Sequence, residues 1–174
     1  SHLKPHHTCR KGVGRTFQVP KPLLGLSVMD NVIVAAYPKS RSKREAAARA
    51  KDELIFSGLW EKKDVLAKNL TLAEKKLLEV TRSLTSNPVL LLLDEVMAGL
   101  TENERLHATS LIDRINKRNI SILLIEHVFK IIVANTNRVI VLDQGQKIAE
   151  GSPDQVMQDK KVIKAYFGAD YEFT

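Results

Sequence analysis

Two acidic residues at the end of an apolar run are the first candidates for chemistry in this sequence. Four leucines at positions 90–93 are followed directly by Asp94 and Glu95. A buried parallel strand is a continuous apolar run, and ligands of open α/β sheets bind beyond the carboxyl ends of the strands. There, Asp94 could bind a magnesium ion and Glu95 could polarise an attacking water, as nucleotide hydrolysis requires. The alternative is a core strand that ends in two solvated acids.

Three further segments lie in a fixed order around this acidic pair. Gln18 follows a predicted strand and begins a proline-containing loop. Residues 70–74, Leu-Thr-Leu-Ala-Glu, open a helix before the pair, and His127 comes directly after the next apolar strand. Each segment is a weak signal alone, because a single glutamine is usually polar surface and a single histidine at a strand end is more often structural. Their order on these elements makes the combination specific.

These segments resemble the nucleotide-binding subunit of an ATP-binding cassette (ABC) transporter, over essentially the whole chain. In that family's terms the matched segments are Gln18 for the Q-loop, residues 70–74 for the signature, Asp94 and Glu95 for Walker B, residues 98–101 for the D-loop, and His127 for the switch histidine. Within the family the sequence is most similar to the branched-chain amino acid uptake ATPases. Residues 14–18, 125–127, 141–145 and 148–151 carry that likeness.

The resemblance implies a role for each residue of the acidic group. Asp94 would hold Mg²⁺, often through water, and Gln18 would sense the ion and the water. Glu95 would be the general base, and His127 would hydrogen-bond the γ-phosphate of ATP. Phosphoryl transfer to water depends on positioning and charge neutralisation, which these residue types can supply.

The resemblance also implies partners. Thr71, Ala73 and Glu74 lie in the signature, whose helix would offer its N-terminal amides to phosphate. In this family the signature serves the nucleotide on the opposite subunit, so a second ATP-binding subunit is expected, as a homodimer or heterodimer. Transmembrane permease subunits are the other expected partner, which places the chain in the cytoplasm on the inner face of the membrane. Ala73 stands where the family pattern has glycine.

One motif of the family has no counterpart in this sequence. The phosphate-binding loop G-x-x-x-x-G-K-[ST] needs a Gly-Lys pair, and the chain contains none. The expectation is therefore the C-terminal two-thirds of such a subunit, inactive as an ATPase alone and binding ATP and Mg²⁺ weakly. The expected fold class is α/β, an incomplete P-loop NTPase-like parallel sheet with a helical subdomain. An unpaired central strand would favour dimerisation through its exposed edge.

Composition limits the other classes of function. The chain has 174 residues, 44% of them hydrophobic, which is enough for one domain with a core. Cys9 is the single cysteine, so an internal disulfide is excluded, and the histidines show no metal-ligand spacing. The net charge of +7 permits nucleic acid, an anionic membrane or phosphate as partner, but the basic residues form no stripe. Binding to nucleic acid is not expected.

Periodicity and capping signals place the motifs on secondary structure. Ser27 and Thr101 are predicted N-caps, and Glu104 completes a capping box with Thr101. The predicted strands are 13–17, 89–93, a buried strand at 120–125, 139–142 and 147–149, and the predicted helices are 43–56, 73–84, 128–134 and one that begins at Pro153. The predicted division is 1–26 for the Q-loop part of the core, 27–86 for a helical subdomain with the signature, and 87–174 for the remaining core.

Two other functions stay open at this point. The missing phosphate-binding loop favours a non-catalytic partner that lends its signature helix to an intact ATPase, although Asp94, Glu95 and His127 are retained. A DNA-maintenance ATPase with the same cassette is suggested only by the basic charge. That class needs a coiled coil or a nucleic-acid module, and the stretch between Gln18 and the signature is too short for one.

Overall fold

The computed structural model describes residues 3–167, which form two compact units that divide between Glu126 and His127. The first unit contains a sheet of three parallel strands in the order β1 (Val13–Arg15), β2 (Leu90–Asp94), β3 (Ser121–Ile125). In this sheet β2 pairs with β1 on one side, at Val13↔Leu90, and with β3 on the other. Helices connect the strands, as parallel pairing requires. The predicted parallel α/β core is confirmed.

Helices make up most of the rest of this unit. They are α1 (Pro5–Arg10), α2 (Val28–Ala36), α3 (Lys43–Ser57), α4 (Leu72–Leu84) and α5 (Glu102–Asn116), with short 3₁₀ turns at Tyr37–Lys39, Trp60–Lys62 and Ala67–Asn69. Helices α2, α3 and α4 share one apolar cluster, which includes Val32, Leu54 and Leu78, all fully buried. This cluster holds the helical part of the unit together.

The helix ends are capped by the residues that the sequence predicts. The hydroxyl of Ser27 accepts from the amide of Asp30, and Thr101 and Glu104 form a reciprocal capping box. Both N-cap predictions are confirmed. Gly58, with a φ of 83°, ends α3 in the left-handed conformation that glycine adopts without strain. These contacts satisfy amides and carbonyls that a helix end would otherwise leave without a partner.

The prediction of a fully buried strand at 120–125 is wrong for β3. Leu123 is 49% exposed and Ile125 is 52% exposed, whereas Leu91 and Leu93 of β2 are at most 1% exposed. Within the described residues β3 pairs with β2 alone, so it is an edge strand. Both strands are apolar runs, and a run of this kind does not show whether a second layer covers it.

The second unit is built on a β-hairpin. Strands β4 (Val139–Asp143) and β5 (Gln146–Gly151) pair in antiparallel fashion around Gln144 and Gly145, whose φ values are 46° and 80°. Two consecutive positive φ angles are those of a type I′ turn. The helices of this unit are α6 (Phe129–Asn135), α7 (Pro153–Met157) and α8 (Lys160–Phe167). In the described part of the chain, no helix has the length and apolarity needed to cross a membrane.

Candidate functional site

The candidate site begins with one hydrogen bond between two loops. Strands β1 and β2 are parallel neighbours, so their carboxyl ends lie at the same edge of the sheet. The pairing extends one residue past β1, where the amide of Thr16 donates to the carbonyl of Leu92. Beyond it, Nε2 of Gln18 donates to Oε2 of Glu95 at 2.8 Å. The structure thus brings together two of the residues that the sequence singled out.

Asp94, the last residue of β2, lies beside the same loop. Its amide donates to the hydroxyl of Thr16 at 3.2 Å, and its Oδ2 lies 3.9 Å from Nη2 of Arg15. The side chain is 29% exposed, so it can reach a ligand. A magnesium ion is usually held by one or two carboxylates together with water and phosphate oxygens, and the oxygens of Asp94 and Gln18 fit that donor set. Among the residues described, no cluster of three or more His, Cys, Asp or Glu could hold a metal alone.

Glu95 has an unusual backbone conformation. Its φ is 46°, in the left-handed region that costs a residue with a side chain energy. The surrounding bonds hold it there: its amide donates to the carbonyl of Ile125 at 3.0 Å, and its carbonyl accepts from Ala98 at 3.2 Å. The turn continues to Gly99, where φ is 73° and an added Cβ would lie 3.3 Å from Cδ2 of Leu72. The D-loop turn therefore packs against the start of α4.

The signature residues organise the N-terminus of α4. Thr71 is the N-cap and forms a reciprocal capping box with Glu74, which also forms an ion pair with Lys62. Burial acts to raise the pKa of Glu74. The bonds from Lys62 and from the amide of Thr71 outweigh burial, so the pKa lies below its ordinary value. Ala73, the position of the expected glycine, is half-buried in the first turn. An acidic residue suits this end of a helix because the helix dipole is positive there.

His127 lies outside the unit that holds the acidic pair. It is the first residue of the second unit and is exposed, in the segment between β3 and α6. The structure therefore assembles Gln18, Asp94 and Glu95 within one unit, while the role of His127 stays a prediction. The roles of the signature residues stay predictions as well.

Sequence reasoning missed two charged residues on α4 that contact the site. Lys76 and Glu79 are each only 7% exposed. Burial lowers the pKa of Lys76, and the carboxylates of Glu126 and Glu95 oppose that shift. Charged residues are almost never buried without partners, so a charge within an apolar helical stretch could have identified Glu79, whereas Lys76 follows two other charged residues and gives no such signal. Glu79 lies between two buried apolar residues, Leu78 and Val80.

The fold and the order of these loops define an ATP-binding cassette of the ABC transporter type. The solved ADP conformation of MJ1267, an ATP-binding cassette of an ABC transporter, superposes with a TM-score of 0.83 and 26% sequence identity. That match covers 97% of this chain and 73% of the solved chain. The predicted fold class is confirmed.

The sequence relatives narrow this class to one family. The high-affinity branched-chain amino acid transport ATP-binding protein LivG of Escherichia coli K12 is 34% identical over 182 residues, covering 95% of this chain and 71% of LivG. A probable LivG of Archaeoglobus fulgidus is 31% identical, with 95% and 69% covered. A family profile described as branched-chain amino acid ATP-binding cassette transporter matches residues 146–172. The chain belongs to the ATP-binding subunits of branched-chain amino acid ABC transporters.

Proposed function

We propose that this chain powers branched-chain amino acid uptake, with Glu95 as the general base for ATP hydrolysis in the assembled transporter. The observation that carries the proposal is the 2.8 Å hydrogen bond between Gln18 and Glu95, at the carboxyl ends of two neighbouring parallel strands. Membership of the family supports it, because LivG is described as a branched-chain amino acid transport protein. The amino acid itself would contact the permease rather than any residue of this chain.

The geometry suits activation of a water molecule. Glu95 would accept a proton from the attacking water, and its carboxylate lies within hydrogen-bond distance of Gln18 at this edge of the sheet. Asp94 and the amide oxygen of Gln18 would hold magnesium, which when bound neutralises charge on the phosphate oxygens. The bond from Nε2 of Gln18 would keep the carboxylate of Glu95 oriented before the nucleotide arrives. Such preorganisation accounts for much of the catalysis of phosphoryl transfer.

The remaining contributions come from the signature and from surfaces that face partners. Thr71, Ala73 and Glu74 would meet the nucleotide held by a second ATP-binding subunit, and His127 would bond the γ-phosphate in this subunit. The loop after Gln18 would contact the permease at the cytoplasmic face of the membrane. Its apolar side chains are exposed, namely Val19 (67%), Leu23 (40%), Leu24 (53%) and Leu26 (36%).

The direct test is amino acid uptake in the source cells. Replacing Glu95 with Gln preserves size and the contact with Gln18 while removing the basic oxygen. Loss of a general base lowers rates by about 100-fold or more, so uptake of radiolabelled leucine should fall by at least that factor. The matched control is Glu102→Gln, an exposed position in the first turn of α5, which should leave uptake unchanged. Normal leucine uptake with Glu95→Gln would contradict the proposal.

A second experiment tests the chain by itself. Because the sequence contains no Gly-Lys pair, no lysine of a phosphate-binding loop would reach the β- and γ-phosphates. We expect no turnover of Mg-ATP by the isolated 174-residue chain. Turnover that is lost in Glu95→Gln would refute this expectation.

The alternative function is a non-catalytic partner that offers its signature helix to an intact ATPase. The intact mass of the native protein in its source cells, with its N-terminal peptide sequenced, separates the two functions. A larger mass with an upstream Gly-Lys-Ser/Thr peptide supports the catalytic subunit, and a native mass of 19.5 kDa supports the non-catalytic partner.

A further inference from the structure

Helix α4 carries two buried charged side chains, one that contacts the loop of Gln18 and one that contacts the turn of Glu95. Lys76 and Glu79 are three residues apart, so they lie on the same side of the helix, one turn from each other. Each is 7% exposed, and a charge buried to this degree is strongly destabilising unless hydrogen bonds compensate for the lost water. Their partners therefore show what the two side chains do.

Glu79 holds both ends of the loop that carries Gln18. Its Oε2 accepts from the amide of Phe17 at 3.1 Å, and its Oε1 accepts from the amide of Lys21 at 3.0 Å. Nη1 of Arg82, one turn further along α4, donates to the carbonyl of Lys21 at 3.2 Å. Gln18 thus lies between two amides fixed by a single carboxylate, and bonds to a charged acceptor are about twice as strong as neutral ones.

Lys76 holds the other partner of the same hydrogen bond. Its Nζ donates to the carbonyl of Glu95 at 2.8 Å and to the carbonyl of Ala98 at 2.7 Å. These carbonyls begin and end the turn in which Glu95 adopts its left-handed conformation. A conformation of this kind persists only where surrounding contacts enforce it. Lys76 supplies two of those contacts.

We propose that Lys76 and Glu79 are positioning residues that jointly set the Gln18–Glu95 hydrogen bond, making α4 the common support of both loops. The chemical importance of that bond rests on the proposed function. Neither residue would touch nucleotide, water or magnesium; each acts through the backbone of another segment. Lys76 and Glu79 bind different segments. A variant of either residue that releases its segment should therefore disturb the Gln18–Glu95 bond.

The test reads the bond directly by NMR on the isotope-labelled full chain without nucleotide. The side-chain amide resonance of Gln18 is assigned by its loss in Gln18→Ala, and Glu95→Ala supplies the reference position for a broken bond. In Glu79→Gln and in Lys76→Met we expect this resonance to move toward that reference. At least one of the backbone amides of Phe17 and Lys21 should exchange with solvent at least about tenfold faster in Glu79→Gln.

Matched controls separate positioning from a general effect on the helix. Lys75→Met, the neighbouring position on α4, and Glu102→Gln should leave the Gln18 resonance at its wild-type position. Lys76→Arg retains donors at the end of a long side chain and should restore the resonance in part. Circular dichroism establishes that each variant keeps its fold.

Three outcomes would overturn the proposal. The first is a wild-type Gln18 resonance in folded Glu79→Gln and Lys76→Met. The second is an equal shift in the Lys75→Met control. The third is global unfolding of either near-isosteric variant, because the residue would then support the whole fold rather than one bond. Since the readout needs no nucleotide, the expected shift of the Gln18 resonance combined with unaffected leucine uptake in Glu95→Gln would refute the proposed function alone.

Discussion

The left-handed backbone at Glu95 makes a prediction that separates strain from chemistry. Replacing Glu95 with Ala or with Gly removes the carboxylate and its bond from Gln18 equally. Only Ala keeps a Cβ at a φ of 46°. That conformation costs a residue with a side chain about 1–2 kcal/mol, and glycine essentially nothing.

The magnitude follows from two opposing effects. Glycine relieves the strain, but it also raises the conformational entropy of the unfolded chain, which costs about 0.4–1 kcal/mol relative to alanine. The net expectation is that Glu95→Gly is more stable than Glu95→Ala by about 0.5–1 kcal/mol, a ratio of roughly 2–5 in the unfolding equilibrium constants. The strain at this residue is therefore large enough to measure.

Urea denaturation followed by circular dichroism at 25 °C measures the difference. Two other positions serve as controls, and at each of them Gly is compared with Ala in the same way. Asn119, with a φ of 60°, should show the same sign, with Gly more stable than Ala. Ala98, which is not among the residues with positive φ, should show the opposite sign, with the wild-type Ala more stable than Gly. If Glu95→Ala is as stable as Glu95→Gly while both controls behave as expected, the backbone at this residue is not strained and the reasoning fails.

Three further perturbations test other parts of the first unit. The lowered pKa of Glu74 means that its ion pair with Lys62 stabilises the fold above about pH 4.5 and that this contribution is lost as the pH falls further. The difference in urea midpoint between wild type and Glu74→Gln should therefore shrink below that pH. Arg118→Ala leaves Glu53, which is 9% exposed, without its two bonds at 2.8 and 3.0 Å, and should cost about 2–3 kcal/mol. A double-mutant cycle with Glu53→Ala should then show clear non-additivity, and additive losses would contradict the pair. Gly99→Ala should lower stability by about 1–2 kcal/mol, seen as a lower Tm, because φ is 73° and the methyl group would crowd Leu72; an unchanged Tm would count against it.

The features that the sequence predicts well are those fixed by neighbouring residues. The caps at Ser27 and Thr101 and the helix at Lys43–Ser57 follow from side chains within a few positions of each helix end. The family motifs were also readable, because they keep their order along the chain. The parallel sheet followed from the alternation of strands and helices.

The features that the sequence did not predict depend on distant contacts. A strand was expected over 13–17, yet β1 ends at Arg15. Just past it, the amide of Asp94 donates to the hydroxyl of Thr16, and the amide of Phe17 donates to the carboxylate of Glu79. The exposure of Leu123 depends on which elements cover β3, and no local pattern contains that information. Lys76 is a similar case, since its partners lie in the turn after β2. Such contacts appear only once the fold brings the segments together.

The topology of the sheet has a consequence for the order in which the chain folds. The apolar cluster of α2, α3 and α4 forms within one continuous stretch, whereas Val13 must find Leu90 across that entire stretch. Contacts between distant residues carry a higher entropic cost of loop closure, so they form late. We therefore expect pulsed hydrogen exchange during refolding to protect amides of α3 and α4 before those of Val13–Arg15; simultaneous protection would refute this order. Assembly of the Gln18–Glu95 pair would then be among the last events of folding, because it follows the docking of β1.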